Sequence, residues 1–186
     1  MNEEKRKSFK NELFDWAQNI AIILTVVVLL FTFVFRIIGV DGGSMLPTLQ
    51  DRDWLLVSNL FYEPENGDIV IIKKESFMTN PIVKRVIATE GQTVDIDFNT
   101  GEVSVDGVVL DEPYIAEMID LTVPTCVRGD YDYPVTVPED CVFVLGDNRN
   151  HSSDSRVSTL GMVDERLILG KVILRILPFN SFGTVE

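Results

Sequence analysis

The longest feature of the chain is an apolar run. From Ile20 to Ile38 it reads IAIILTVVVLLFTFVFRII, and only Thr25, Thr32 and Arg36 fall outside the hydrophobic set. A helix of about 20 apolar residues crosses the hydrocarbon core of a bilayer, so this run predicts a transmembrane helix over 20–38. No polar face interrupts it, which argues against a buried core helix. A cleaved signal peptide has an apolar region of only about 7–15 residues and a small-residue cleavage site, which Arg36-Ile37-Ile38-Gly39 does not offer. Thr25 and Thr32 can bond back to their own helix, and Arg36 can snorkel at its end. Lys5, Arg6, Lys7 and Lys10 precede the run, and the positive-inside rule assigns that end to the cytoplasm. Residues 1–19 are then a cytoplasmic segment, a short polar helix with Trp16 near the interface. Residues 39–186 lie outside the cytoplasm.

Beyond the run the periodicity changes to short, Val- and Ile-rich strands. Nine are expected: Trp54–Leu60, Asp68–Lys73, Ile82–Ala88, Thr93–Phe98, Glu102–Val105, Val108–Leu110, Val135–Val137, Cys141–Leu145 and Lys171–Ile176. Asn66-Gly67 opens one strand, and Asp106-Gly107 marks a two-residue hairpin. Phe98–Glu102 reads as a longer hairpin turn with Gly101 in a left-handed conformation. Asp95, Asp97 and Asn99 alternate as in a calcium loop, but glycine falls one place late and no Glu closes the loop, so the hairpin is preferred. Asp111–Tyr133 carries few strand signals and is expected to be an irregular excursion within a smaller inserted region at about 95–140. The fold class is mainly β, an antiparallel domain tethered by one N-terminal helix.

Composition sharpens this division. Of 186 residues 46% are hydrophobic, with 16 Lys+Arg against 29 Asp+Glu and a net charge of −13. Residues 1–36 hold five basic and four acidic groups, so the negative charge belongs wholly to the part beyond them. Such acidity excludes a phosphate-binding footprint for nucleic acid. One His and two Cys leave no His-rich or four-thiolate metal site, and no metal or cofactor is expected. A Ser-His-Asp triad would have to use His151. Cys126 and Cys141 are spaced to allow a bridge without implying one.

Three polar stretches do not read as ordinary packing. The first, Asp41-Gly42-Gly43-Ser44-Met45-Leu46-Pro47-Thr48, presents Ser44 on a bare, restricted loop directly after the span, since glycines allow close approach and Pro47 biases Leu46 to extended geometry. A plain turn carrying a polar residue fits equally. In the second, Pro81–Ala88, alternation sets Lys84 on one face with Ile82, Val86 and Ala88. Burial there disfavours an ammonium, and a neutral amine can serve as a general base for a serine hydroxyl. A snorkelling lysine on an edge strand is the bland alternative. The third, Gly146-Asp147-Asn148-Arg149-Asn150-His151-Ser152-Ser153-Asp154-Ser155-Arg156, is dense in side chains that bond locally, either a solvated loop or an internally fixed one.

The strings GGSMLPTL, VKRVIATEGQ and GDNRNHSSDSR, in this order after a membrane span, resemble the bacterial type I signal peptidases, which are Ser-Lys dyad serine proteases. The closing LGMVDERLILGKVILRILPF is similar to the family's last segment, and the spacing resembles single-span Gram-positive members. The resemblance implies Ser44 as nucleophile, Lys84 as general base, and Ser152 as a hydroxyl orienting the amine. It also implies that Asp147, Asp154 and Arg156 hold the site together, and that Gly42, Gly43 and Met45 shape the loop. The Ser44 N–H would be one oxyanion donor; some members place a second hydroxyl at the position held here by Gly42, which has none. The implied partners are signal peptides of exported preproteins, cut after small residues (A-x-A), the lipid bilayer and the translocation machinery. Some relatives have His where this chain has Lys84, but His151 falls at a variable position of the third string. Self-cleaving repressors of similar fold carry a DNA-binding region in place of a span. A non-enzymatic anchored adaptor, or a peptidase dedicated to a few substrates, are the other readings.

Overall fold

The structure, a computed structural model, describes residues 3–185, with side chains from residue 12 onward. It separates into two units, residues 1–36 and 37–186. The basic side chains of Lys5, Arg6, Lys7 and Lys10 lie outside the described ones.

In the first unit helix α1 runs without a break over Glu3–Phe33. Its portion Glu12–Phe33 has a mean hydropathy of 2.1 and none of it is buried. By length and apolarity this stretch is enough to cross a membrane. Thr25 Oγ1 donates to the Ala21 carbonyl at 2.8 Å and Thr32 Oγ1 to Val28 at 2.7 Å, so neither hydroxyl stands unsatisfied in the apolar run. The helix stops short of Ile38. Phe35–Gly39 is a strand, β1. The residues Phe35-Arg36-Ile37-Ile38 suit a strand as well as a helix, and here a neighbouring strand supplies the backbone partners.

The second unit is β-rich. Its strands are β2 (Trp54–Ser58), β3 (Ile69–Ile72), β4 (Ile82–Ala88), β5 (Thr93–Asp97), β6 (Glu102–Val105), β7 (Val108–Val109), β8 (Val135–Thr136), β9 (Cys141–Leu145), β10 (Val163–Asp164) and β11 (Ile168–Leu177). A seven-stranded sheet has the order β1-β2-β11-β3-β4-β9-β10, and a four-stranded sheet the order β7-β6-β5-β8. Every paired register recorded is antiparallel. All nine expected strands are present. β1 and the two-residue β10 were not expected, and β11 begins three residues earlier than its pattern suggested. Asp97 accepts from the Asn99 N–H at 2.8 Å and Gly101 has φ +80°, so Asp97–Glu102 turns as a hairpin. Asp111–Tyr133 has no strand.

Strand β3 is buried along its whole length. Alternation sends Ile69 and Ile71 into one core, with Met45, Leu49, Leu55 and Val57, and Val70 and Ile72 into another, with Val86, Val142 and Val144. A third core joins the small sheet to Ile87, Phe143 and Leu145. β4 and β9 thus lie between layers, and Lys84 and Arg85 within β4 and Asp147 just past β9 are held away from water.

Candidate active site

The loop after β1 is built around its glycines. Gly42 has φ +92°, a left-handed backbone that only glycine adopts without strain, and its N–H donates to the Asp51 carboxylate at 3.0 Å. The turn tightens as Leu46 N–H reaches the Gly43 carbonyl and Leu49 N–H the Met45 carbonyl. Met45 and Leu49 are buried in the core beneath, and this anchors the loop. Ser44 is presented between bare backbone and buried anchor.

Lys84 occupies the middle of β4, opposite Val70 of β3. Only 3% of it is exposed, and its Nζ donates to Ser44 Oγ at 2.7 Å. Burial pulls its pKa from 10.5 down to about 8; the Arg156 guanidinium pushes the same way, while Asp154 and Asp147 oppose. No carboxylate bonds directly to the amine among the described residues.

The next residue, Arg85, is equally buried but fully paired. Its Nε and Nη2 donate to Asp147 at 2.9 and 2.8 Å, its Nη1 to the Gly67 carbonyl at 2.9 Å. The Tyr114 ring lies 3.9 Å from the guanidinium carbon, a cation–π contact. Asp147 also accepts from Thr48 Oγ1, so the same carboxylate ties β4 to the Ser44 loop.

The polar stretch after β9 is internally fixed. Asp147, Arg149, Asn150, Ser152, Asp154, Ser155 and Arg156 are all buried. Arg156 Nε donates to Asp154 at 2.8 Å, and its Nη2 to the carbonyls of Arg149 and Ser152. Burial alone would raise the Asp154 pKa, but the Arg156 charge and hydrogen bonds from Arg156 and the Gly146 N–H hold it below the usual range. Arg149 pairs with Glu112, and Asn150 bonds the Met118 carbonyl and the Asp120 N–H, so this stretch also fastens the irregular excursion. Asn148 reaches the other way, its N–H to the Ser44 carbonyl at 3.0 Å and its Nδ2 to the Gly43 carbonyl at 2.9 Å.

A cleft of about 240 Å³ opens over Ser44 and Lys84, walled by Gly42, Gly43, Phe77, Met78 and Ile82. His151 sits on its rim, exposed, with Nδ1 2.8 Å from Thr125 Oγ1. The Ser44 hydroxyl bonds Lys84.

The model of the signal peptidase family, peptidase S26, matches residues 13–177. This chain belongs to the signal peptidase family. A signal peptidase I of Bacillus licheniformis is 38% identical over 191 residues, covering 100% of each chain. Signal peptidase I T of Bacillus subtilis is 35% identical over 188 residues, covering 96% of this chain and 93% of its own. A solved signal peptidase I from Enterococcus faecalis is 28% identical and covers 59% of this chain and 97% of its own, with a TM-score of 0.44. As a signal peptidase family member the chain is a serine endopeptidase, a hydrolase.

Of the residues singled out in the sequence of this signal peptidase family chain, Gly42, Gly43, Ser44, Met45 and Lys84 line one cleft. Asp147, Asp154 and Arg156 form the buried ionic framework behind it. Ser152 departs from its expected part. Its Oγ is buried but bonds nothing among the described residues, Lys84 included. It lies against Gly146, where a Cβ would come within 2.3 Å of that oxygen and 2.5 Å of the Ser44 carbonyl, so this corner is tightly packed. Thr48, Arg85, Asn148 and Glu112 were not singled out. One signal pointed to Arg85: a guanidinium inside a buried apolar strand requires a carboxylate. Cys126 and Cys141 are free thiols, half-buried against the small-sheet core.

Proposed function

We propose that the chain is a membrane-anchored signal peptidase in which Ser44 and Lys84 form a catalytic dyad. The observation that carries this reading is the 2.7 Å contact between Lys84 Nζ and Ser44 Oγ, made by an amine only 3% exposed. A lysine with a pKa of about 8 is neutral about one time in five at pH 7.4, against about one in a thousand for a free lysine.

The neutral amine takes the Ser44 proton as Oγ attacks the carbonyl carbon before the scissile bond. The oxyanion accepts a hydrogen bond from the Ser44 N–H. Gly42 offers no hydroxyl, so a second donor comes from elsewhere. Lys84 returns its proton to the leaving amine, and an acyl ester remains on Ser44. Lys84 then takes a proton from water, hydroxide equivalent adds to the ester, and the proton passes to Ser44 Oγ as the acid leaves. Arg156 favours the neutral amine, while Asp154 and Asp147 moderate the shift.

The substrate is the signal peptide of an exported preprotein, lying extended in the cleft with small residues before the cut. α1 anchors the enzyme in the bilayer through Glu12–Phe33, with the basic N-terminal segment in the cytoplasm and the β-rich part outside, alongside the translocation machinery. The test is cleavage of an A-x-A-bearing preprotein by the full chain in detergent. Wild type should cleave after the small residue, and Ser44→Ala and Lys84→Ala should be inert. Robust cleavage by Lys84→Ala would overturn the dyad.

A further inference from the structure

The geometry points to Asn148 as a positioning residue of the oxyanion site: it fixes the plane of the Gly43–Ser44 peptide so that the Ser44 N–H is aimed into the cleft. This rests on the reading of Ser44 as nucleophile. Asn148 grips the nucleophile from both sides. Its Nδ2 donates to the Gly43 carbonyl at 2.9 Å and its own N–H to the Ser44 carbonyl at 3.0 Å. The Gly43 carbonyl and the Ser44 N–H are opposite poles of one planar, trans peptide. Holding the oxygen toward Asn148 therefore turns the N–H the other way, toward the side that Ser44 lines.

This plane needs holding. Gly42 and Gly43 precede it, and neither has a side chain to restrict rotation. At Gly42 nothing lies within 4 Å of where a Cβ would stand, and at Gly43 only Leu46 does. A flipped peptide would turn the Gly43 carbonyl oxygen into the cleft, where it would repel a developing oxyanion. The flip is opposed because it breaks the Nδ2 bond, and with it the longer 3.2 Å bond from the Leu46 N–H to the same oxygen. The same bond also polarises the peptide and strengthens its N–H as a donor. Asn148 is itself well braced, between Asp147 clasped by Arg85 and Arg149 clasped by Glu112, all four side chains buried.

The test compares Asn148→Ala and Asn148→Asp with wild type in the full chain in detergent. One readout is cleavage of a peptide spanning an A-x-A site; the other is inhibition by a peptide aldehyde of the residues before the cut. Ser44 Oγ adds to the aldehyde carbon, the Ser44 proton passes to Lys84, and the aldehyde oxygen becomes an oxyanion in the same site. Removing an oxyanion donor outright costs about 100- to 1000-fold in kcat, so mispositioning one should cost about 10- to 100-fold in Asn148→Ala. Asn148→Asp, which sets a carboxylate against a carbonyl, should lose more. KM should stay within about threefold, and aldehyde affinity should fall by the same factor as kcat. The acid limb of the pH profile should not move, because Lys84 is untouched. Wild-type kcat in both variants would overturn the inference, as would a rise in KM with aldehyde affinity unchanged. If Asn148→Ala lowers the melting temperature, the near-isosteric Asn148→Asp decides. Failure of wild type to cleave would sink the reading of Ser44 instead.

Discussion

Two adjacent residues of β4 live in opposite surroundings. Lys84 and Arg85 are each 3% exposed. Arg85 is met by a bidentate carboxylate, a carbonyl and an aromatic ring. Lys84 is met by a hydroxyl. A buried cation with a hydrogen-bonded carboxylate keeps its proton; a buried amine given only a neutral partner gives it up readily. The difference separates a group that braces the site from one that can work in it.

The comparison breaks most visibly at Lys84. Replacing it by Met should lower kcat by at least about 10⁴-fold, the scale on which triad members act. The same variant should melt higher than wild type at pH 7, since an isolated amine no longer has to be buried, and calorimetry checks this. The advantage should shrink between pH 8 and 10.5. In that window the unfolded chain holds a proton that the folded chain has lost, so wild-type stability rises with pH. At Arg85 the expected damage is to folding. Asp147→Leu strands a buried guanidinium and should destabilise by about 3–5 kcal/mol, read from denaturant unfolding. The proton balance of Lys84 sets the next effect. Below a pKa of about 8, kcat/KM should fall about tenfold per pH unit as the amine protonates, and a rate that stays level between about pH 8 and 6 would remove Lys84 as the base. The smallest effect is expected for Arg85→Lys, which keeps the charge but loses the fork; it should lose about 1–2 kcal/mol of stability with the acid limb unmoved.

Much of this was legible in the chain. Two-residue periodicity marked nine strands, and Asp106-Gly107 marked the β6–β7 turn. Ser44 and Lys84 stood out because a hydroxyl on a glycine loop and an amine in an apolar strand are poor packing choices. What stayed hidden is long-range. Thr48 meets Asp147 across 99 positions, Arg149 meets Glu112 across 37, and Asn148 Nδ2 meets Gly43 across 105. No local spacing encodes such partners. The end of α1 was hidden for another reason: Phe35–Gly39 has residues suited to either element, and sheet pairing decided between them. Ser152 shows the reverse limit: the family motif suggests a hydroxyl that orients the amine, and its buried Oγ makes no hydrogen bond among the described residues.

The adjacency of Lys84 and Arg85 also makes the middle of β4 intolerant of a change in chain length. Deleting Val83, or inserting a residue beside it, would advance or retard every later side chain by one position and send it to the other face. After the deletion a guanidinium would stand where the amine belongs, and it does not surrender its proton near neutral pH; after the insertion Val83 or the added residue would stand there, with no base at all. The loop at 73–81 can absorb such a change before the strand begins; the strand cannot.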